Sequence, residues 1–517
     1  MIKQKLKIII ALCFLINATL LIAQTNIPQN VEISLSKAGN NEEELKKVIL
    51  HYQKLKDNQK LQAAYFLIAN MPEHYSEDYI WTDENGENLN FDELKYPDIK
   101  SSLKAFNQLK AKTKIQGKTI TYEDVDKISS GLLIRNIDLA FEVWQKPWNK
   151  NLSFEDFCEY ILPYRVCDEP LQDWRQTFYN RFSPFISRLK NEGKDYELCS
   201  LINENMKTWF VETYGLEKRQ EKILMLGPLN ILHRKQGECP DMVNLAAYAM
   251  RSVGVPCCVD FTPYWATSSG GHYWNLTFDQ NNKPIMFMGV TNNPGSLLIQ
   301  RELGKVYRYM YSEQPDMPAS FKTTGEIPEG FLQSPFIKDV TGNYVKTKNV
   351  AVEIQSQSDS LPDLGFFCVF NYSQWQILGW GKITEIDHRP TIEYADLGYG
   401  CVYLPIIRKN GKNIPAAYPF SVSHEGIMKQ YIPNTKNARN IDLRQQDGYL
   451  IYRKGKEYTL YYWDNRWIRI KTKISAGSAV LTFEHVPDNA LLFLRPEYSQ
   501  GKDRIFTVNE KGEREWW

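Results

Sequence analysis

From about Asn41 to Leu198 the apolar residues recur at three- and four-residue steps. The run "EELKKVILHYQKLKDNQKLQAAYFLIANMP" keeps this period until Pro72, and "SSGLLIRNIDLAFEVWQ" and "SFEDFCEYILPYR" repeat it. That is the spacing of helices with one buried face, so residues 24–200 are expected to form a helical N-terminal region with long surface loops such as Thr82 to Pro97. Between Glu204 and Gln300 the period changes. One amphipathic helix is followed by "CCVDFTPYW", by "HYWNLTF", by the polar turn "DQNNK" and by "PIMFMG", which predicts an α+β unit over residues 201–325. Beyond Asp339 the pattern is strand-rich and repeats itself. "YSQWQILGWGKI" matches "DNRWIRIKTKI", and "LGYGCVYLPI" matches "VPDNALLFLRP", with Trp375 to Trp467 spanning 467 − 375 = 92 positions and Leu404 to Leu494 spanning 494 − 404 = 90. Near-constant spacing over two separate motifs indicates duplication. The expectation is two tandem antiparallel β-sandwich modules, residues 326–427 and 428–517. Their tryptophans, Trp375, Trp380, Trp463 and Trp467, fit a packed core, with a sugar-stacking platform as the alternative.

Composition narrows the function classes. With 62 basic and 61 acidic residues the formal charge is +1, and 43% of the 517 residues are hydrophobic. No field selects for nucleic acid or anionic lipid. The first residues differ from the rest. Lys3, Lys5 and Lys7 precede an apolar run from Ile8 to Ile22 that ends at Ala23. This is the grammar of a cleaved leader, residues 1–23, and it predicts an exported protein (periplasm, cell surface or extracellular) with no membrane span after cleavage. Eight cysteines follow the leader without any C-x-x-C pair, so neither a zinc site nor a dense disulfide framework is indicated, although one or two bridges would fit. No phosphate loop, acidic metal cluster or serine elbow is present, and no cofactor or metal is expected.

Chemistry concentrates in "KQGECPDMVNLAAYAMRSVGVP". Met242, Leu245, Ala246, Ala249, Met250 and Val253 form one helix face. Pro240 suits a first turn, and Gly254 with Pro256 suits a stop. Cys239 therefore lies at the helix start, where unpaired N–H groups favour negative charge, lower a thiol's pKa and can hold an oxyanion. Gly237 would let a substrate approach the backbone, and Asp241 fits the charge preference of a first turn. His272 opens the strand "HYWNLTF" and shares its face with Trp274, Leu276 and Phe278. A thiol nucleophile needs such an imidazole to take its proton.

"GECPDMVNLAAYAMRSVGVP" followed by "GGHYWNLTFD" resembles the transglutaminase-like superfamily of papain-type cysteine enzymes, through Cys239, Arg251, Gly254, Pro256, His272 and Trp274. The wider layout, with "FCEYILPYR", "EPLQDWR" and the closing "RIFTVNEKGEREWW", is similar to exported multidomain proteins of Bacteroidetes. The resemblance implies Cys239 as nucleophile and His272 as base, acting through a thioester on an amide or acyl bond of a peptide, protein or glycoconjugate. Trp174, Trp209, Trp265 and Trp274 are its candidate cleft residues. One position departs from the pattern. Where the superfamily carries an aspartate to orient the histidine, this chain has Met288 and Gly289 in "MFMGVT". Asp260, Asn275 and Asn292 are the alternative orienting residues. The rival reading is a catalytically degenerate module that binds peptide or glycan.

Overall fold

The computed structural model describes residues 27–189, 195–213, 225–279, 281–320, 323, 325–355, 361–446 and 450–517. The leader, residues 1–23, lies outside the described residues. Among the described residues no helix is long and apolar enough to cross a membrane.

Two compact units partition the chain. The first comprises the residues up to Ser76 together with Thr121–Asp138. It is built on helices Gln29–Lys37, Glu42–Leu55 and Asn58–Ala69. The long helical run of the sequence is broken between the last two. Lys56 turns left-handed (φ 56°), and the Asp57 side chain accepts from the Lys60 N–H to cap a new helix. Val31, Leu45, Val48, Ile49, Tyr52, Leu61 and Ile68 fill the core. Within residues 24–200 the structure also contains two strands, Tyr75–Thr82 and Gln116–Glu123, which the helical period did not reveal.

The second unit holds the candidate chemistry. Three helices, α1 (Arg175–Phe182), α2 (Asp195–Lys207) and α3 (Cys239–Ser252), accompany a five-stranded antiparallel sheet. Its strands are β1 (Cys258–Thr262), β2 (His272–Phe278), β3 (Pro284–Phe287), β4 (Tyr307–Tyr309) and β5 (Ile337–Asp339), in the order β3–β2–β1–β4–β5. Helix α3 is buried nearly all round, as its place between α1 and the sheet requires. Its end is set by Gly254 (φ +80°), where any Cβ would stand 2.4 Å from the Val143 carbonyl oxygen. The Gly254 carbonyl accepts from the Trp148 indole and the Asn149 amide (3.1 and 2.7 Å). Buried Arg251 fastens the same end, donating to the carbonyls of Cys257 and Arg165 (3.0 and 2.8 Å).

The C-terminal strands show the duplication directly. One sheet contains β6 (Thr347–Glu353), β7 (Leu364–Asn371), β8 (Gln374–Ile386), β9 (Arg389–Gly398), β10 (Cys401–Lys409), β11 (Phe420–Val422) and β12 (Met428–Gln430), ordered β6–β9–β8–β7–β10–β11–β12. The next seven are β13 (Asn434–Arg444), β14 (Glu457–Trp463), β15 (Trp467–Ile474), β16 (Val480–Asp488), β17 (Leu492–Pro496), β18 (Ile505–Val508) and β19 (Arg514–Trp516). They run β13–β16 and β15–β14–β17–β18–β19. The order is the same, except that the first copy has an extra short strand, Lys412–Pro415, paired with β10, and that the second copy lacks the pairing equivalent to β9–β8 and is split into two sheets. The duplicated tryptophans meet. Trp375 and Trp467 lie parallel, 6.5 Å apart with 3° between their planes, and Trp375 meets Trp463 edge-on at 5.5 Å. All four tryptophans belong to or pack against one apolar cluster that also contains Phe370 and Phe493. Trp463 is buried in it, while Trp375, Trp380 and Trp467 are partly buried against it, which fits the packing role.

Candidate active site

Cys239 is the first residue of α3, and Glu238 is its cap. The Glu238 N–H donates to Asp241 (3.0 Å), and the Glu238 side chain accepts from the helix in return, which is a capping box. Gly237 serves this box. A Cβ there would sit 2.5 Å from the Asp241 carboxylate, so the glycine clears space for Asp241 and not for a substrate. Of the eight described cysteines, all unbridged, seven are buried and Cys239 alone is partly exposed.

Its electrostatics differ from the expectation drawn from the helix start. The thiol is pushed up to about 12, first by burial and then by the carboxylates of Glu238 and Asp241, with Glu212 adding to them. Glu212 is brought near by the short parallel pairing of Val211–Glu212 with Gln236–Gly237. The Tyr273 backbone N–H acts in the opposite direction. Desolvation and three acidic side chains outweigh that hydrogen bond, and at neutral pH Cys239 is a thiol.

Strand β2 places His272 next to that contact, because the amide facing the sulfur belongs to the following residue. The two faces of β2 are distinct. Asn275 donates to the Val243 carbonyl of α3 (2.9 Å) and accepts from the Gly289 N–H (3.1 Å), and Tyr273 packs against the cluster that contains α3. His272 and Trp274 take the other face. The imidazole stacks on Trp265 at 5.9 Å and lies 6.2 Å from Trp274. Burial, and secondarily the Arg301 guanidinium, hold its pKa below the usual histidine value. Arg301 itself lies over Trp265, 5.5 Å from the ring centroid. Among the described residues no hydrogen bond joins Cys239 to His272.

None of the alternative orienting residues hydrogen-bonds to the His272 ring. Asp260 stands opposite Trp274 in the β1–β2 register, with Thr262 opposite His272. Its carboxylate is taken by Arg308 (2.8 and 3.0 Å) and by the Tyr344 hydroxyl (2.5 Å), all buried or nearly so. Asn275 is committed to α3, on the other face. Asn292 sits in the turn closed by its bridge to Met288, and Asn203 of α2 holds that turn by accepting from the Val290 N–H (2.7 Å) and donating to the Asn292 carbonyl (3.0 Å). Met288 is 6% exposed in the apolar cluster around α3, so an aspartate there would be buried without a partner. A Cβ at Gly289 would stand 2.4 Å from the Met242 carbonyl oxygen. The close approach of strand to helix occupies the room a carboxylate would need.

Of the four candidate cleft tryptophans, Trp265 and Trp274 flank His272. Trp274 is fully buried and donates to the Tyr344 hydroxyl (2.9 Å). Trp174 is a core residue that donates to the Tyr164 carbonyl (2.7 Å). Trp209 packs on the α3 cluster with Arg181 over its ring at 4.2 Å. Sequence reading did not single out Arg301, Arg308, Asn203 or Asn371 (below), none of which lies in a recognisable motif.

One prediction follows from the imidazole. His272 remains neutral to lower pH than an ordinary histidine, so its contribution to stability is complete above about pH 6.5 and falls as pH drops below that value. Arg301→Gln removes the lesser cause and should move the His272 titration upward, still short of the ordinary value because burial remains. The histidine resonances of the variant, followed against pH by NMR, check this.

Residues 191–284 match the model of the Transglutaminase-like superfamily, and this segment is a transglutaminase-like core. It holds α2, Cys239 with its helix, β1 and His272 with its strand. A crystal structure of red sea bream transglutaminase is similar over 85% of this chain and 76% of that one, at 9% identity and a TM-score of 0.19. A search of curated proteins found no match.

Proposed function

We propose that the protein is a thiol-dependent acyl or amide enzyme, with Cys239 as nucleophile and His272 as its base, exported by its leader to act on a peptide, protein or glycoconjugate. The transglutaminase-like core supports cysteine-dependent acyl chemistry at the level of the superfamily. The observation that carries the reading is the position of the one partly exposed thiol, at a helix start and against the amide that follows His272. With the sulfur facing that amide, the His272 Cα lies about 5–6 Å away by backbone dimensions.

The pair starts neutral on both sides. His272 takes the thiol proton as the sulfur attacks the carbonyl carbon. It then returns the proton to the leaving amine or alcohol, leaving a thioester that water or an amine resolves. Pro240 has no N–H and those of Asp241 and Met242 are taken by Glu238, so the oxyanion would be met by the Cys239 N–H with that of Tyr273. Hydrolysis is the simpler outcome, since transfer needs an acceptor site that excludes water.

p-Nitrophenyl acetate tests this directly. Wild type should release a burst of p-nitrophenolate and carry an acetyl group on Cys239 by peptide mass spectrometry, and Cys239→Ala should show neither. Acetylation distributed over lysines, with no burst, would count against the enzyme. A second reading, a binding module on a degenerate core, is favoured by Met288 standing in the carboxylate position, and that outcome would support it.

A further inference from the structure

Among the described residues no carboxylate hydrogen-bonds to His272, yet the loop leading to it is firmly held. We propose that Asn371 is the positioning residue of this site, with the β7–β8 hairpin of the first β-module clamping the loop 263–271 and so holding Trp265 against the His272 ring. This rests on the reading that His272 serves Cys239.

Asn371 is the last residue of β7 and is 2% exposed. Its side-chain oxygen accepts from the Gly270 N–H (2.9 Å). Its amide nitrogen donates to the carbonyls of Trp265, Ser268 and Gly270 (2.9, 2.7 and 3.0 Å). Both polar atoms of one buried side-chain amide are thus spent on the six residues before Gly271, across about a hundred positions of sequence. The loop closes on itself by the Trp265 N–H to the Gly270 carbonyl (2.9 Å). Trp265, fixed at its backbone, presents the indole on which His272 stacks.

The hairpin tip is built to be rigid. Tyr372 and Ser373 are both left-handed (φ 50° and 56°), the conformation a two-residue hairpin turn demands and one usually given to Asn or Gly. Ser373 is held there by Asp503 of the second module, donating to its carboxylate and accepting from its N–H (both 3.1 Å). Tyr372 lies over the loop, its hydroxyl 3.3 Å from where a Gly270 Cβ would be. The duplicated modules therefore act on the site through one asparagine, with the second copy bracing the first. In the superfamily a side chain orients the histidine ring directly. Here the backbone beneath its stacking partner is fixed instead.

The test uses the full chain with 13C-labelled histidine, the His272 signal being assigned by its loss in His272→Gln, and the pH profile of Cys239 alkylation by iodoacetamide. Asn371→Ala should shift the His272 resonance and raise its titration point as the loop opens to water. The His272-dependent part of the alkylation rate should fall about 10- to 100-fold, the scale of a small misplacement of a reacting group. Ser373→Ala, at the braced tip and outside the buried clamp, should do the same to a smaller extent if Asn371→Ala fails to fold. An unmoved His272 titration in the folded variants overturns the clamp. A moved His272 titration, with Cys239 alkylation indifferent to His272→Ala, upholds the clamp and rejects the dyad. Alkylation that depends on His272 but is unchanged by Asn371→Ala does the reverse.

Discussion

Asp260→Asn is expected to cost the protein about 3–5 kcal/mol, the scale for removing one partner of a buried ion pair. Asp260 is fully buried and Arg308 is 6% exposed, and they are joined by two hydrogen bonds, with the Tyr344 hydroxyl on the same carboxylate. The amide of the variant would leave the guanidinium charged and half-partnered, which accounts for most of the loss. Replacing both members, Asp260→Leu with Arg308→Met, removes the uncompensated charge and should return the midpoint of chemical denaturation close to wild type. The double variant also separates two roles. In this structure the carboxylate holds β1 to β4 behind Trp274, and His272 does not depend on it, so alkylation of Cys239 should keep its wild-type pH profile. A stable double variant that loses that profile would make Asp260 the orienting residue after all.

His272→Ala is expected to slow acyl transfer from p-nitrophenyl acetate to Cys239 by about 10²–10⁴-fold, the usual contribution of a positioned general base. The size of the effect follows from the electrostatics of the thiol. Burial and neighbouring carboxylates push it up to about 12, so the thiolate fraction at neutral pH is very small and the sulfur has little reactivity of its own. An enzyme that stored a thiolate at rest would lose much less. The fold should survive the change, because among the described residues the imidazole makes ring contacts, with Trp265 and Trp274, and no hydrogen bond.

Local grammar proved readable where the cause was local. Pro240 and Gly254 bracketed α3 correctly because a missing N–H and a left-handed backbone are properties of single residues. The repeat was legible because β-modules copied together keep their spacing, and Trp375 and Trp467 indeed occupy matching strands, β8 and β15. The break at Lys56–Asp57 was missed because the apolar period runs through it, while the cap that makes it is one side chain. The same limit applied at the site. The helix start was visible at Cys239, but Glu212 reaches the thiol from 239 − 212 = 27 residues earlier and helps reverse the expected shift. Asp260 was a reasonable orienting residue on strand pairing alone, and its commitment to Arg308 depends on β4, which no motif marks. Asn371 joins the site only through tertiary packing, from a module read as separate from the core.

Whether His272 takes the Cys239 proton is measured most directly by the pH dependence of Cys239 alkylation by iodoacetamide, mapped by peptide mass spectrometry. The prediction is a wild-type rate that rises through a limb below pH 6.5, where His272 loses its proton, and stays level through neutrality, with His272→Ala lacking that limb and reacting only as the thiol ionises at alkaline pH. Wild-type and His272→Ala profiles that coincide, both rising only at alkaline pH, would contradict it.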